Sequence, residues 1–453
     1  MSDPIHVLLL CWRDTTHPQG GGSERYLERV GAELVERGMR VTLLTAAYDD
    51  ATASEDRAGV RILRAGGRLS VYPRALLTIL AARWGRGRLP GAPDVVIDTQ
   101  NGIPFFATTV SRAPTVVLVH HCHREQWPVA GRLLARLGWF LESRVSPRVH
   151  RRSRYVTVSG PSADELVELG VDRERITVIR NGIDPIASES VGGDAAAGRI
   201  PGPRLCVLSR LVPHKQVEDA LAVVAELRHT RSDVHLDVIG GGWWSDELHA
   251  TAARLGVEGA VTFHGHVDEP RKHQLLDRAD VHLMPSRKEG WGLAVVEAAQ
   301  HRVPTIGYRS SVGLAESVEH GETGLLVDGV DELVSATRKL IDNPEESARL
   351  GRNAQRKAAG YSWSATADPA AIRSATSSCR RRAASRAHTV PRCHWGTITA
   401  GMESVTATGQ GRAAAIRSRV RRFHSSCSLV SARTSAKRRS ENRRPVVCSR
   451  NRI

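Results

Sequence analysis

Unbroken apolar runs recur along most of the chain, separated by longer stretches with helical spacing. IHVLLLC (5–11), VTLLTA (41–46), VRILRAG (60–66), DVVIDTQ (94–100), TVVLVHH (115–121), YVTVSG (155–160) and ITVIRNG (176–182) form one series. A break rich in Ala, Gly and Ser follows at 185–203. The second series is then LCVLSR (205–210), VHLDVIGGG (234–242), VTFHGHV (261–267), DVHLMPS (280–286), PTIGYRS (304–310) and GLLVDG (324–329). Continuous rather than alternating runs mark strands covered on both faces, which implies parallel sheets with helices on each side. Segments such as SERYLERVGAELVERG and VEDALAVVAELRHT supply those helices. The expected fold class is therefore α/β, two doubly wound, Rossmann-like domains facing a cleft. The expected boundaries are 1–184 for the first domain, 185–203 for the linker and 204–368 for the second domain.

Charge changes this picture only at the end of the chain. The net charge is +16, but 19 of the 64 Lys and Arg and only 2 of the 48 Asp and Glu lie in 369–453, so the rest is close to neutral. That stretch mixes Arg, Ser and Ala with few large apolar residues, a composition that cannot bury enough surface to order itself. Its abrupt onset after SWSATAD reads as a change of reading frame; a basic arm for nucleic acid or acidic lipid and disordered sequence of no function are the other readings, and specific nucleic-acid binding is not expected. Cys11, Cys122 and Cys206 fall in or next to apolar runs with no CxxC spacing, as buried thiols of a cytosolic protein would. The N-terminal MSDPIHVLLLCWRD reads as a first strand, not a leader, and no run reaches the ~18 to 20 apolar residues that span a bilayer.

Chemistry is expected at the carboxyl ends of the strands. After the first strand, Gly20, Gly21 and Gly22 precede Ser23 and a helix. Such a loop lets backbone approach a phosphate, with Ser23 as the expected cap. It matches neither the GxGxxG nor the P-loop pattern. In LCVLSRLVPHKQVEDA, Arg210 ends a strand and Lys215 precedes a helix, two cations suited to a pyrophosphate. In SRKEGWGLAVVEA, Glu289 sits at a helix entrance and Glu297 inside the helix. The amides of Gly290, Trp291, Gly292 and Leu293 lie between them. A nucleotide sugar suits this set: phosphate over the amides, and one carboxylate each for the sugar and ribose hydroxyls. The cluster His120–His123 has metal-ligand residue types, but neighbouring strand positions point to opposite faces, so no metal is expected. Residues 131–154 combine Leu, Trp and Phe with seven arginines. They read either as a helix packed on the sheet with a solvated arginine face or as a peripheral contact with an anionic membrane.

The pattern of Glu289, seven residues and Glu297, followed by EAAQHRVPTIGYRSSVGLAESVEHGETGLLVD, resembles the retaining glycosyltransferases of family 4, which have the GT-B fold. GGSER, SRLVPHK, FHGHV and SWSATAD occur in the expected order. The resemblance implies a nucleoside diphosphate sugar as donor, no cofactor or metal, and transfer with an α linkage. The acceptor would be a carbohydrate or lipid-linked glycan of the cell envelope, met in the cytoplasm or at the inner face of the plasma membrane. Glu289 would contact the transferred sugar and Glu297 the ribose. Arg210 and Lys215 would hold the diphosphate, the Gly21/Gly22 loop would close over it, and His120 would stand near sugar and acceptor. A front-face displacement is preferred, since no second carboxylate is placed as a nucleophile. Gln216 and Arg302 depart from the pattern, each standing where the family commonly has glycine. A nucleotide-sugar epimerase of the same architecture, or an inactive frame-shifted transferase whose tail binds nucleic acid non-specifically, are the alternatives.

Overall fold

The computed structural model describes residues 3–18, 20–124, 127, 131–186 and 202–367. The expectations for 369–453, and for most of the 185–203 linker, lie outside the described residues. The first domain is an eight-stranded sheet of β1 (His6–Leu10), β2 (Arg40–Thr45), β3 (Ser54–Arg57), β4 (Val60–Arg64), β5 (Val95–Thr99), β6 (Thr115–Val119), β7 (Arg154–Thr157) and β8 (Ile176–Val178), in the order β3-β4-β2-β1-β5-β6-β7-β8. Its helices are α1 (Gly22–Glu36), α2 (Val71–Ala82), α3 (Arg132–Phe140), α4 (Ser146–Val149) and α5 (Gly160–Glu168).

The second sheet holds β9 (Arg204–Leu208), β10 (His235–Ile239), β11 (Val261–Gly265), β12 (Val281–Met284), β13 (Thr305–Tyr308) and β14 (Gly324–Val327), in the order β11-β10-β9-β12-β13-β14. Its helices are α6 (Val217–Arg228), α7 (Ser245–Arg254), α8 (Glu269–Asp277), α9 (Leu293–Gln300), α10 (Leu314–Ser317), α11 (Val330–Asp342), α12 (Pro344–Ala358) and α13 (Trp363–Thr366). Every apolar run became a strand. The expectation of wholly parallel sheets fails at one edge, where β3 pairs antiparallel with β4. Its sequence, SEDR, is polar because an edge strand faces solvent, so no apolar run announced it.

Alternation along β1 sorts the helices onto two faces. Val7 and Leu9 pack with Tyr26, Leu27 and Val30 of α1, whereas Leu8 and Leu10 pack with Val71, Ala75 and Ile79 of α2. In register with Leu10 across β5 and β6 stand Asp98 and Val117, so α2, α4 and α5 share the second face. The second domain's main core draws only on residues 205–350. The first domain's core differs, because Trp291, Val296, Ala354, Ala358, Trp363 and Ala367 from the far end of the chain join it.

That return is specific. Ser362 caps α13, accepting from the Ala365 amide. Trp363 meets Tyr26 edge-on with centroids 6.0 Å apart. Arg37 donates to the carbonyls of Ala367 and Ser364, and Thr366 donates to the Arg180 carbonyl at 2.9 Å. At Gly182 an added Cβ would lie 2.3 Å from the Trp363 nitrogen, so only glycine lets the two segments cross.

Candidate active site

The glycine loop is organised by a residue the sequence reading did not single out. Gly21, not Ser23, ends up as the cap of α1. Glu24, in the first turn and buried, accepts from the Gly21 amide at 2.9 Å and from the Ser23 hydroxyl at 2.9 Å, and pairs with Arg13 at 2.9 Å. The three-residue step from Gly21 to Glu24 in GGSER was the available signal, half of a capping box. The loop lies against the second domain. A Cβ at Gly21 would stand 3.8 Å from Arg210 Cδ, and one at Gly22 3.8 Å from Leu293 Cδ2.

Across the same boundary, the loop ahead of α9 meets the end of β6. A Cβ on Gly290 would lie 2.8 Å from the His120 carbonyl oxygen and 3.5 Å from His121 Nδ1. Glycine is thus required by close approach of the two domains, a reason no spacing rule supplies. Gly292 has φ 85° and caps α9, which begins at Leu293. The Trp291 side chain turns away into the shared core, edge-on to Tyr361 at 4.8 Å. Only its backbone can face a ligand at the helix entrance.

Lys215 and Glu289, 74 residues apart, form an ion pair at 2.5 Å with both side chains largely buried. Arg210 forms no ion pair among the described residues. His120 is buried and edge-on to Tyr26 at 5.1 Å, and its Nε2 has no partner among the described residues. Burial lowers its pKa to about 4, so its imidazole is neutral near pH 7. Its carbonyl accepts from Ser162 at 2.9 Å, which fixes the strand end.

Glu297 sits apart from this group. It accepts from Lys272 at 2.7 Å and lies 3.8 Å from Arg25. Lys272 also bonds Glu269, and Arg25 bonds Glu269 at 2.7 Å and Asp184 at 2.5 Å. Burial opposes ionisation of Glu269, yet Arg25 and Lys272 hold its pKa down at about 2. Glu297 is therefore tied through Lys272 and Glu269 to α1 of the other domain and to Asp184 beside the linker. Lys288 to Glu165, at 2.5 Å, joins the domains again. These cations are scattered in sequence, and nothing in their spacing marked them. Among the described residues no group of three or more His, Cys, Asp or Glu could hold a metal ion.

Both family departures lie in the left-handed region: Gln216 has φ 47° and Arg302 φ 60°. The glycine expected at each place would have met that backbone without strain.

Two parallel-sheet α/β domains that meet along their strand ends define a GT-B architecture, and the comparisons agree. Residues 20–187 match the family described as Glycosyltransferase Family 4, and residues 200–357 match Glycosyl transferases group 1. The chain is 30% identical over 385 residues, 76% of its length and 90% of the relative's, to a GDP-mannose-dependent alpha-(1-6)-phosphatidylinositol monomannoside mannosyltransferase of Mycobacterium tuberculosis. A glycogen synthase from the same species is 35% identical over 48% of this chain and 53% of its own. Among solved structures, sucrose-phosphate synthase of Thermosynechococcus elongatus superposes with TM-score 0.67 at 18% identity, covering 84% of this chain and all of the other. HepE of Anabaena with UDP-glucose superposes at 0.64 and 20% identity, covering 82% of this chain and all of HepE. The chain belongs to glycosyltransferase family 4. It is a glycosyltransferase.

Proposed function

We propose that the protein moves a sugar from a nucleoside diphosphate sugar to a carbohydrate or lipid-linked acceptor with retention, forming an α linkage without a metal ion. What supports this most is one juxtaposition: Gly21 on Arg210, Gly22 on Leu293 and Gly290 on His120, with Lys215 paired to Glu289 beside them. In this reading Arg210, Lys215 and the first amides of α9 hold the diphosphate and neutralise the charge that grows on it as the glycosidic bond breaks. Glu289 accepts from hydroxyls of the transferred sugar. Buried, neutral His120 lies at the sugar's edge. Glu297 accepts from the ribose diol, in exchange for part of its bond to Lys272. The leaving diphosphate takes the acceptor's proton on the face it departs from, so the new bond forms on that same face. GDP-mannose is the first donor to test and an inositol phospholipid glycoside the first acceptor, since relatives carry those names.

The test is incubation with GDP-mannose and that acceptor, the product's anomeric configuration being read by NMR with and without EDTA. An α-linked product at an unchanged rate in EDTA is expected. A β-linked product, or transfer abolished by chelation, would sink the mechanism. A panel of nucleotide sugars screened by thermal shift covers other donors. A ligand at ~100 times its dissociation constant adds roughly 2.7 kcal/mol of stability.

A further inference from the structure

The outer surface of α3 is apolar and faces water. Leu133, Leu134, Leu137 and Phe140, on one side of the helix by their spacing, are all exposed, Leu133 to 82%. Among the residues of α3, only Gly138 is buried. A helix that merely packed on the sheet with a solvated arginine face would bury those four, whereas here they are exposed together with Arg132 and Arg136. The stripe is also not alone. On α2 of the same domain, Leu77 is exposed, as is Trp84 just beyond the helix, each to 64%. From α2, packing runs through Tyr72 on Phe105, at 4.6 Å, and Phe106 on His150, at 5.8 Å, to the end of α4, the next α-helix after α3 in the chain.

Charge selects the occupant. Residues 68–88 contain five arginines and no acid. Residues 131–154 contain seven arginines and a single acid, Glu142, which is buried and bonded to His123 and Trp127. These two segments therefore present cations without exposed carboxylates, Arg144, Arg148, Arg151 and Arg152 among them. An apolar ridge flanked by guanidinium groups fits a bilayer interface, where Leu and Phe enter the acyl boundary and arginines reach anionic headgroups. The chain's own basic stretch, 369–453, has the wrong charge to cover it. Among the described residues no helix is long and apolar enough to cross a membrane, so contact through these segments would be made along the surface.

We propose that the α2/α3 face of the first domain docks onto a bilayer bearing anionic headgroups, whether or not the acceptor is itself a lipid. The experiment is hydrogen–deuterium exchange on the full chain with vesicles of mixed phosphatidylglycerol and phosphatidylcholine, against vesicles of phosphatidylcholine alone. Exchange in peptides covering 71–84 and 132–145 should slow several-fold with the anionic vesicles. The combined Leu133→Ser, Leu137→Ser and Phe140→Ser variant should lose that protection while second-domain peptides exchange as in wild type. Leu77→Asp, on a separate helix and fully outward, should weaken it independently. Unchanged exchange in both peptides, protection confined to 369–453, or slowing that depends on protein concentration without lipid would each overturn the proposal. The last result would identify a second copy of the chain as the occupant.

Discussion

The two domains share an architecture and differ in how their cores are closed. The second domain's main cluster is built from its own residues, 205–350, and the groups proposed to bind the donor follow strands anchored in it. The first domain's cluster is completed by Trp291, Ala354, Ala358 and Trp363, so its integrity depends on chain that has already passed through the second domain. Autonomy on one side and borrowed packing on the other make the two respond differently to the same perturbation.

The largest test of that difference is Trp363→Ala. Removing a buried indole should cost roughly 3–5 kcal/mol, read as a fall in midpoint on thermal or denaturant unfolding. Amide exchange should rise first in β1 and β6 and leave β9 and β10 protected. Equal exposure of both sheets would mean the cores are not separate. Next in size, Lys215→Ala and Glu289→Gln strike the second domain's chemistry. Each should lower the rate of transfer by about 10²- to 10³-fold, as loss of one charge-stabilising group in an active site does. Gln at 289 can still bond Lys215, so a large drop in that variant's melting temperature would assign the pair to stability instead.

Acid comes third. Burial lowers the pKa of His120 and His150 in the first domain, and of His214 and His282 in the second, to about 4 in each case. Each is neutral when folded and charged when unfolded between pH 6.5 and 4. Their stabilisation is whole above pH 6.5 and lost as pH falls toward 4. Asp98 opposes this in the first domain. Burial raises its pKa to about 6, against bonds from the Phe105 and Ala107 amides, so its contribution is present below pH 3.8 and lost as pH rises through 6. Melting temperature followed from pH 7 to pH 4 should fall, and His282→Gln should flatten the fall. A curve flat in the wild type would show that these imidazoles take up protons in place.

The smallest effect is a gain. Gln216→Gly relieves a left-handed residue, a strain of ~1–2 kcal/mol, partly offset by glycine's extra chain entropy, so roughly 0.5–1 kcal/mol of added stability is expected. Arg302→Gly should gain less, since it gives up the bond from Arg302 to Gln355 at 2.9 Å. Chemical denaturation resolves both, and a loss in either would mean the side chain's contacts outweigh its backbone strain.

Much of this protein was legible in the order of its residues. Apolar runs such as TVVLVHH and DVHLMPS specify buried parallel strands because only a strand covered on both faces can use an unbroken row of Val, Leu and Ile. Glycines and cations at the strand ends mark the proposed site because phosphate chemistry needs close backbone and positive charge. The polar edge strand at Ser54–Arg57, the capping role of Glu24 and the cap at Gly21 were settled by local geometry that composition does not encode. Other features arise where distant segments meet. The Lys215–Glu289 pair, the link from Glu297 through Lys272 and Glu269 to Arg25, the crossing that demands glycine at 182 and 290, and the outward turn of Leu133 and Phe140 all depend on folding. A residue's spacing along the chain sets which way it can point within its own element. Which partner waits there is decided by how the elements pack, because burial and charge act through space, even between groups as distant in sequence as Arg25 and Glu269.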